Sequence, residues 1–276
     1  KIGFSRQFQL YREKTMKTAI LHRTLLILLG SSLFWQPVLA QDTPDWSGVW
    51  GMQGGTIFDA ATKTGEGGST TPGVREHPPY NNEFEAIYLA NLALRDEGVF
   101  PDPNSYCGIP TGFPRIMNLP DVYEFAVTDK QVWIISENGP NIMRIYTDGR
   151  AQPPAEDLWP THTGNSVGHW EGDTLVFETL SLHSSENGIT IIDRTGLQLS
   201  DAARIVTRMG INADGQMQAQ MTIEDAKALT APWVVTKQYR KLPEGTRVFD
   251  YACNENNRNP IDPNTGWTYT IGTDGE

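Results

Sequence analysis

Three residues able to hold or move protons, Glu137, Arg144 and Tyr146, stand in the stretch 131–146, "QVWIISENGPNIMRIY". With "NGPN" as its loop, the stretch reads as a hairpin. Glu137 then faces Ile142, Ile135 faces Arg144 and Trp133 faces Tyr146. Strand side chains alternate between faces, so all six share one face. An apolar wall would thus carry a diagonal Glu137–Arg144 charge pair, and a tyrosine beside an arginine can lose its proton more easily and act as a base. If this face lines a cavity, Glu137, Arg144 and Tyr146 form a catalytic set, with Trp133 and Tyr123 as ligand-binding walls. The opposite face, Val132, Ile134, Met143 and Ile145, is wholly apolar and also calls for burial. If that face wins, the polar set is a surface ladder.

A second stretch, 168–178, "GHWEGDTLVFE", packs one histidine and three acidic residues around Gly172. Glu171-Gly172 between two β-rich runs is a two-residue turn signal, which sets Trp170 against Asp173 and His169 against Thr174. Trp170, Asp173, Leu175 and Phe177 then share one face, and His169, Thr174, Val176 and Glu178 the other. His169 and Asp173 are split between faces and cannot bind one metal. His169 stays a catalytic candidate, and His162 and Trp170 are candidates at the rim of a ligand site.

Other patterns are weaker. His77, His162, His169 and His183 form no H-x-H or H-E-x-x-H spacing, so no metal is expected. Gly164-Asn-Ser166-Val-Gly168 matches a nucleophile elbow in letters, but that elbow needs a strand before it and a helix after it. Here the proline-rich "AQPPAEDLWP" precedes and a strand follows. No phosphate-cradling glycine loop occurs, so no nucleotide cofactor is expected.

The elements that must position these residues are mostly strands. About nine short β runs lie between 122 and 241, with turn signals every 8–15 residues, as in an antiparallel meander. One amphipathic helix is expected over 82–97, with Phe84, Ile87, Tyr88, Leu92 and Leu94 at roughly helical spacing. The expected fold is mainly β: one antiparallel, lipocalin-like (calycin-like) barrel, able to hold one small ligand. Glycine-, proline- and asparagine-rich segments at 42–80 and 252–266 would be irregular arms around it. Residues 41–276 form this single domain, with no internal repeat.

The segment 1–40 reads differently. From Met16 it has a positive start, an apolar run over 25–34 and a small-x-small site at Val38-Leu39-Ala40, ahead of Gln41. That is the pattern of a secretory signal peptide over 16–40, with 1–15 as upstream read-through. The apolar run falls short of the ~20 residues that span a bilayer, so no membrane span is expected after cleavage. The expected location is the periplasm or the exterior. Removing the six Lys/Arg and one Glu of 1–40 from totals of 22 and 33 leaves 16 basic and 32 acidic residues, net −16. Such a surface repels nucleic acid and anionic lipid. Exported cysteines pair by default, so a Cys107–Cys253 disulfide is expected; on the simple chain-entropy model it removes roughly 5 kcal/mol of unfolded-state entropy.

Several motifs recur in order: "DWSGVW" (45–50), C-x-x-P-x-G-x-P-R (107–115), "RIYTDGR" (144–150), G-x-S-x-G-x-W-E-G-D-T-L-V (164–176), "TIED" with "PW" (222–233) and "CNEN" (253–256). Together they resemble a family of exported, mostly uncharacterised bacterial proteins, common in proteobacteria that degrade aromatic or steroid compounds. The resemblance covers nearly the whole mature chain. Family members usually show Glu-Arg where this chain has Thr207-Arg208, and Asp-Pro where it has Asp225-Ala226. The expected function is a cofactor-independent lyase or isomerase acting by acid–base catalysis on a small aromatic or other apolar molecule. The alternative is a non-catalytic carrier barrel for the same class of ligand, to which 10% aromatic content is equally suited. A third class, a structural or envelope-assembly protein, would have a filled barrel.

Overall fold

The computed structural model describes residues 43–53, 78–99, 112–139, 141–183, 192, 196–249 and 251–252. The expected signal peptide over 16–40, most of the segments expected as arms at 42–80 and 252–266, and both cysteines of the expected disulfide lie outside the described residues. Among those described, nine strands close into one barrel: β1 (Val49–Gln53), β2 (Val122–Val127), β3 (Gln131–Ser136), β5 (Asn141–Tyr146), β6 (Asn165–Glu171), β7 (Thr174–Leu180), β8 (Ala203–Ile211), β9 (Met217–Asp225) and β10 (Trp233–Lys241). Around the barrel the order is β1-β10-β9-β8-β7-β6-β5-β3-β2, and β1 completes the circle by pairing with β2. Two short strands, β4 (Asn138–Gly139) and β11 (Tyr251–Ala252), form a separate parallel pair that ties the chain near its C-terminus to the β3–β5 turn. No helix among the described residues is long and apolar enough to cross a membrane.

The mainly-β single barrel expected from the sequence is therefore the fold, with one departure from a pure antiparallel meander. β5 and β6 run parallel, joined only through Ile145↔Ser166 and Tyr146↔Val167. Parallel neighbours cannot be linked by a hairpin, so residues 147–164 must carry the chain back along the barrel. This return loop carries His162.

The barrel closes because the β runs alternate. Along β8, Ala203, Ile205, Thr207 and Met209 are buried while Arg204 and Arg208 are exposed; along β9, Met217, Ala219, Met221, Ile223 and Asp225 are buried while Gln220 and Glu224 are exposed. The exposed sides meet as charge ladders, with Arg204 donating to Glu178 at 2.6 Å and to Glu224 at 2.8 Å. The buried sides meet as one core, where each large apolar side chain stabilises the fold by about 1.5–3 kcal/mol.

Three segments pack onto the barrel. Trp46, just before β1, lies against Trp170 at 5.2 Å and Phe125 at 6.3 Å between ring centroids, closing the end where β1 begins and β6 stops. Helix α1 (Asn82–Asp96) starts at Asn81, whose Oδ1 accepts the Phe84 N–H at 3.0 Å as an N-cap. It buries Phe84, Tyr88 and Asn91, spaced at i, i+4 and i+7. The third segment, 112–119, is buried at every position. Two tyrosines from the barrel interior grip it: Tyr239 Oη donates to the Met117 carbonyl at 2.7 Å, and Tyr123 Oη accepts from the Leu119 N–H at 2.9 Å. At Gly112 a Cβ would sit 2.3 Å from the His162 carbonyl oxygen, and φ is +69°, so only glycine fits this approach.

Candidate functional site

The hairpin that holds Glu137, Arg144 and Tyr146 forms in a register two residues from the expected one. Trp133 pairs with Arg144, Ile135 with Ile142 and Gln131 with Tyr146. A shift of two preserves the faces, so Trp133, Ile135, Ile142, Arg144 and Tyr146 do share a side. That side is the outer one. Val132, Ile134, Met143 and Ile145 are fully buried inside the barrel, while Ile142 and Arg144 are exposed. The physical reason is competition between the faces: four aliphatic side chains gain more from burial than a face carrying a charge.

The expected catalytic cavity set is thus corrected to a surface ladder. The Arg144 guanidinium lies over Trp133 at 4.9 Å, and the Tyr146 ring is covered by Arg150 at 3.8 Å. Trp133 Nε1 donates to Gln131 Oε1 at 2.8 Å, so this wall contacts its own strand rather than a cavity. Glu137 accepts the Phe249 N–H at 2.8 Å, and no ion pair joins it to Arg144 among the described residues. Tyr123, expected as a ligand wall, does lie inside, wholly buried, but its hydroxyl is committed to Leu119.

The 168–178 stretch is a hairpin, again shifted by two. Glu171 pairs with Thr174 and Trp170 with Leu175, leaving Gly172-Asp173 as the turn, with Gly172 at φ +59° in the first turn position. His169 stands on the outer face, 3.3 Å from Glu171 Oε1, in a ladder completed by Arg208 at 2.8 Å from Glu171 Oε2. Arg208 and then His169 hold the Glu171 carboxyl below the usual range. His169 therefore faces away from the interior, and a catalytic role inside the barrel is corrected. Trp170 points inward, half-buried against Trp46. Ser166 of the elbow-like motif is buried with its Oγ 2.8 Å from Thr179 Oγ1, in mid-barrel and on no strand-to-helix turn.

The interior is built from other residues. Met117, Met143, Met209, Met217 and Met221 are all at 0% exposure, and Met52 packs against the same core. Around them stand Phe125, Phe177, Tyr123 and Tyr239. Burial pushes the Tyr123 and Tyr239 phenols far above their ordinary value, so both remain protonated donors. One lysine enters this space: Lys237, on the inward side of β10 between Val235 and Tyr239 and paired with Ala219, is at 0% exposure. On the inward side of β8, Thr207 Oγ1 is buried without a hydrogen-bond partner. Lys237 and the methionines were within reach of the same alternation rule, because "WVVTKQYRK" puts Lys237 in phase with Trp233, Val235 and Tyr239.

Asp225 closes one rim of β9. It is 3% exposed and accepts from Ser200 N at 2.7 Å, Ser200 Oγ at 2.6 Å, and the Lys227 and Ala228 amides at 3.1 Å each. It organises the turn into Trp233. His162 is half-buried in the return loop, with its ring centroid 4.6 Å from that of His183. Burial first, and then His183, lowers its pKa below the ordinary imidazole value. No group of three or more His, Cys, Asp or Glu side chains placed to hold a metal occurs among the described residues.

No family model matches this sequence, and no curated protein matches it significantly.

Proposed function

We propose that this protein is an exported barrel that holds a small apolar or aromatic molecule in its interior as a carrier, and that it belongs to the uncharacterised exported family its motifs resemble. The observation that carries this reading is the methionine content of the packed core: six methionines belong to it or pack against it, together with aromatic rings. Methionine is unbranched and polarizable, so such a core can repack around ligands of different shape at little strain. The disulfide between Cys107 and Cys253 remains part of the proposal.

Acid–base lyase or isomerase chemistry is the second reading, and Lys237 is the observation that keeps it open. A desolvated lysine is a common general base or nucleophile, and here it shares a face with the Tyr239 phenol. The two readings separate in one experiment. The mature protein is incubated with phenols, sterols and lignin-type dimers, each as a neutral and an acidic form, while thermal shift and ligand mass are recorded. A carrier gives ligand-dependent stabilisation with ligand masses unchanged. Turnover that is lost in Lys237→Met and kept in Arg144→Ala supports the enzyme. Absence of any shift across the panel contradicts both and favours a structural protein.

A further inference from the structure

The geometry points to a transition-metal site at His162 and His183, formed where the return loop meets the segment after β7. The two histidines are held by backbone, not by chance. Thr161 and Leu182 form a parallel bridge, Thr161 N donates to the Ser181 carbonyl at 3.1 Å, and His183 N donates to the Thr161 carbonyl at 3.1 Å. The His162 carbonyl in turn accepts the Phe113 N–H at 2.7 Å. Both residues bearing the rings are therefore fixed before any cation arrives.

The ring chemistry fits a ligand role. His183 Nε2 lies 2.8 Å from the Pro160 carbonyl, which can only accept, so Nε2 carries the proton. The lone pair is then on Nδ1, and that atom is buried without a hydrogen-bond partner. A metal-binding histidine almost always donates its other N–H to a carbonyl or carboxylate in this way, which fixes the tautomer and aims the bare nitrogen. The spacing agrees: with metal–nitrogen bonds of about 2.1 Å, two imidazoles bound cis to one ion put their ring centroids about 4.5–5 Å apart, against the 4.6 Å found here.

With two nitrogen ligands among the described residues, the remaining positions would belong to water or a small anion. Imidazole donors in a cis arrangement select Cu(II), Ni(II) or Zn(II) over Mg(II) or Ca(II). The site is independent of the barrel interior, so it can stand or fall apart from the carrier reading.

The test is a calorimetric titration of the full chain with CuCl2, NiCl2 and MgCl2, repeated on His162→Gln, His183→Gln and His169→Gln. The expected result is one site that takes copper tighter than nickel, weakened at least about tenfold in either of the first two variants. It should be unchanged in His169→Gln and blind to magnesium. If His183→Gln fails to fold, His162→Gln, which leaves the Pro160 bond in place, carries the comparison. Proton NMR adds a second readout, because substoichiometric copper should broaden the His162 and His183 ring signals before the His169 signals. Copper binding that is equal in all three variants, or broadening that begins at His169, overturns the assignment.

Discussion

The two faces of the β3–β5 hairpin do opposite work. The outer face pairs each ring with a cation: Trp133 with Arg144, and Tyr146 with Arg150. The inner face holds Val132, Ile134, Met143 and Ile145 at 0% exposure, facing methionines and rings from the rest of the barrel. The outer face has chemistry but no enclosure; the inner face has enclosure but little chemistry. The lesson is that a constellation of catalytic residue types means little until burial assigns its face. Here the assignment followed the number of aliphatic side chains, not the presence of an acid, a base and a cation.

The largest way to break this contrast is to attack what the inner side depends on. Asp225→Ala removes the acceptor for four donors at the rim and should cost about 3–5 kcal/mol, read as a fall in urea midpoint. Phe177→Ala should cost a similar 3–5 kcal/mol by opening a cavity beside Phe113. A loss below about 1 kcal/mol in either would mean that the interior is not packed as described. Gly112→Ala comes next, at about 2–3 kcal/mol, because the added methyl meets the His162 carbonyl at a positive φ. Arg144→Ala and Tyr146→Phe on the outer face should each stay within about 0.5 kcal/mol.

A finer test uses pH. The folded protein holds His162 below its ordinary pKa of 6.5, chiefly by burial. The unfolded chain therefore binds this proton first as pH falls. The stability contributed by the neutral ring is present above pH 6.5 and is lost as pH drops from there through the lowered folded value. The urea midpoint of the native protein should fall more between about pH 7.5 and about pH 5 than that of His162→Gln. Equal slopes would show that this histidine is not desolvated.

Much of this architecture was legible in the sequence, and for a definite reason. Strand alternation is local, so runs such as "ARIVTRMGI" and "MQAQMTIED" announce both their strand character and their inner side. Helix α1 was equally plain from its apolar spacing. Register was not local. Both hairpins formed two residues from the expected pairing, because the turn residues leave the loop length open: Gly172-Asp173 turns the second hairpin, not Glu171-Gly172. A shift of two leaves faces intact, which is why the face partners survived the error. What the sequence left undecided was which of two faces turned inward. That depends on the whole ring of strands, and on segments distant in sequence such as Trp46 and 112–119. The parallel β5–β6 pair and the meeting of His162 with His183 also depend on how the return loop packs, and no spacing rule encodes that.

The central claim is that small molecules are held by the inner face and not by the outer one. The most direct measurement is ligand binding by thermal shift and fluorescence titration across two sets of variants. One set, Ala219→Leu and Met221→Ala, changes the space opposite Lys237. The other, Arg144→Ala and Tyr146→Phe, strips the outer ladder. The predicted result is that the first set changes the dissociation constant at least about tenfold, while the second set leaves it unchanged. Binding that is lost with the outer ladder and indifferent to the interior would contradict this account.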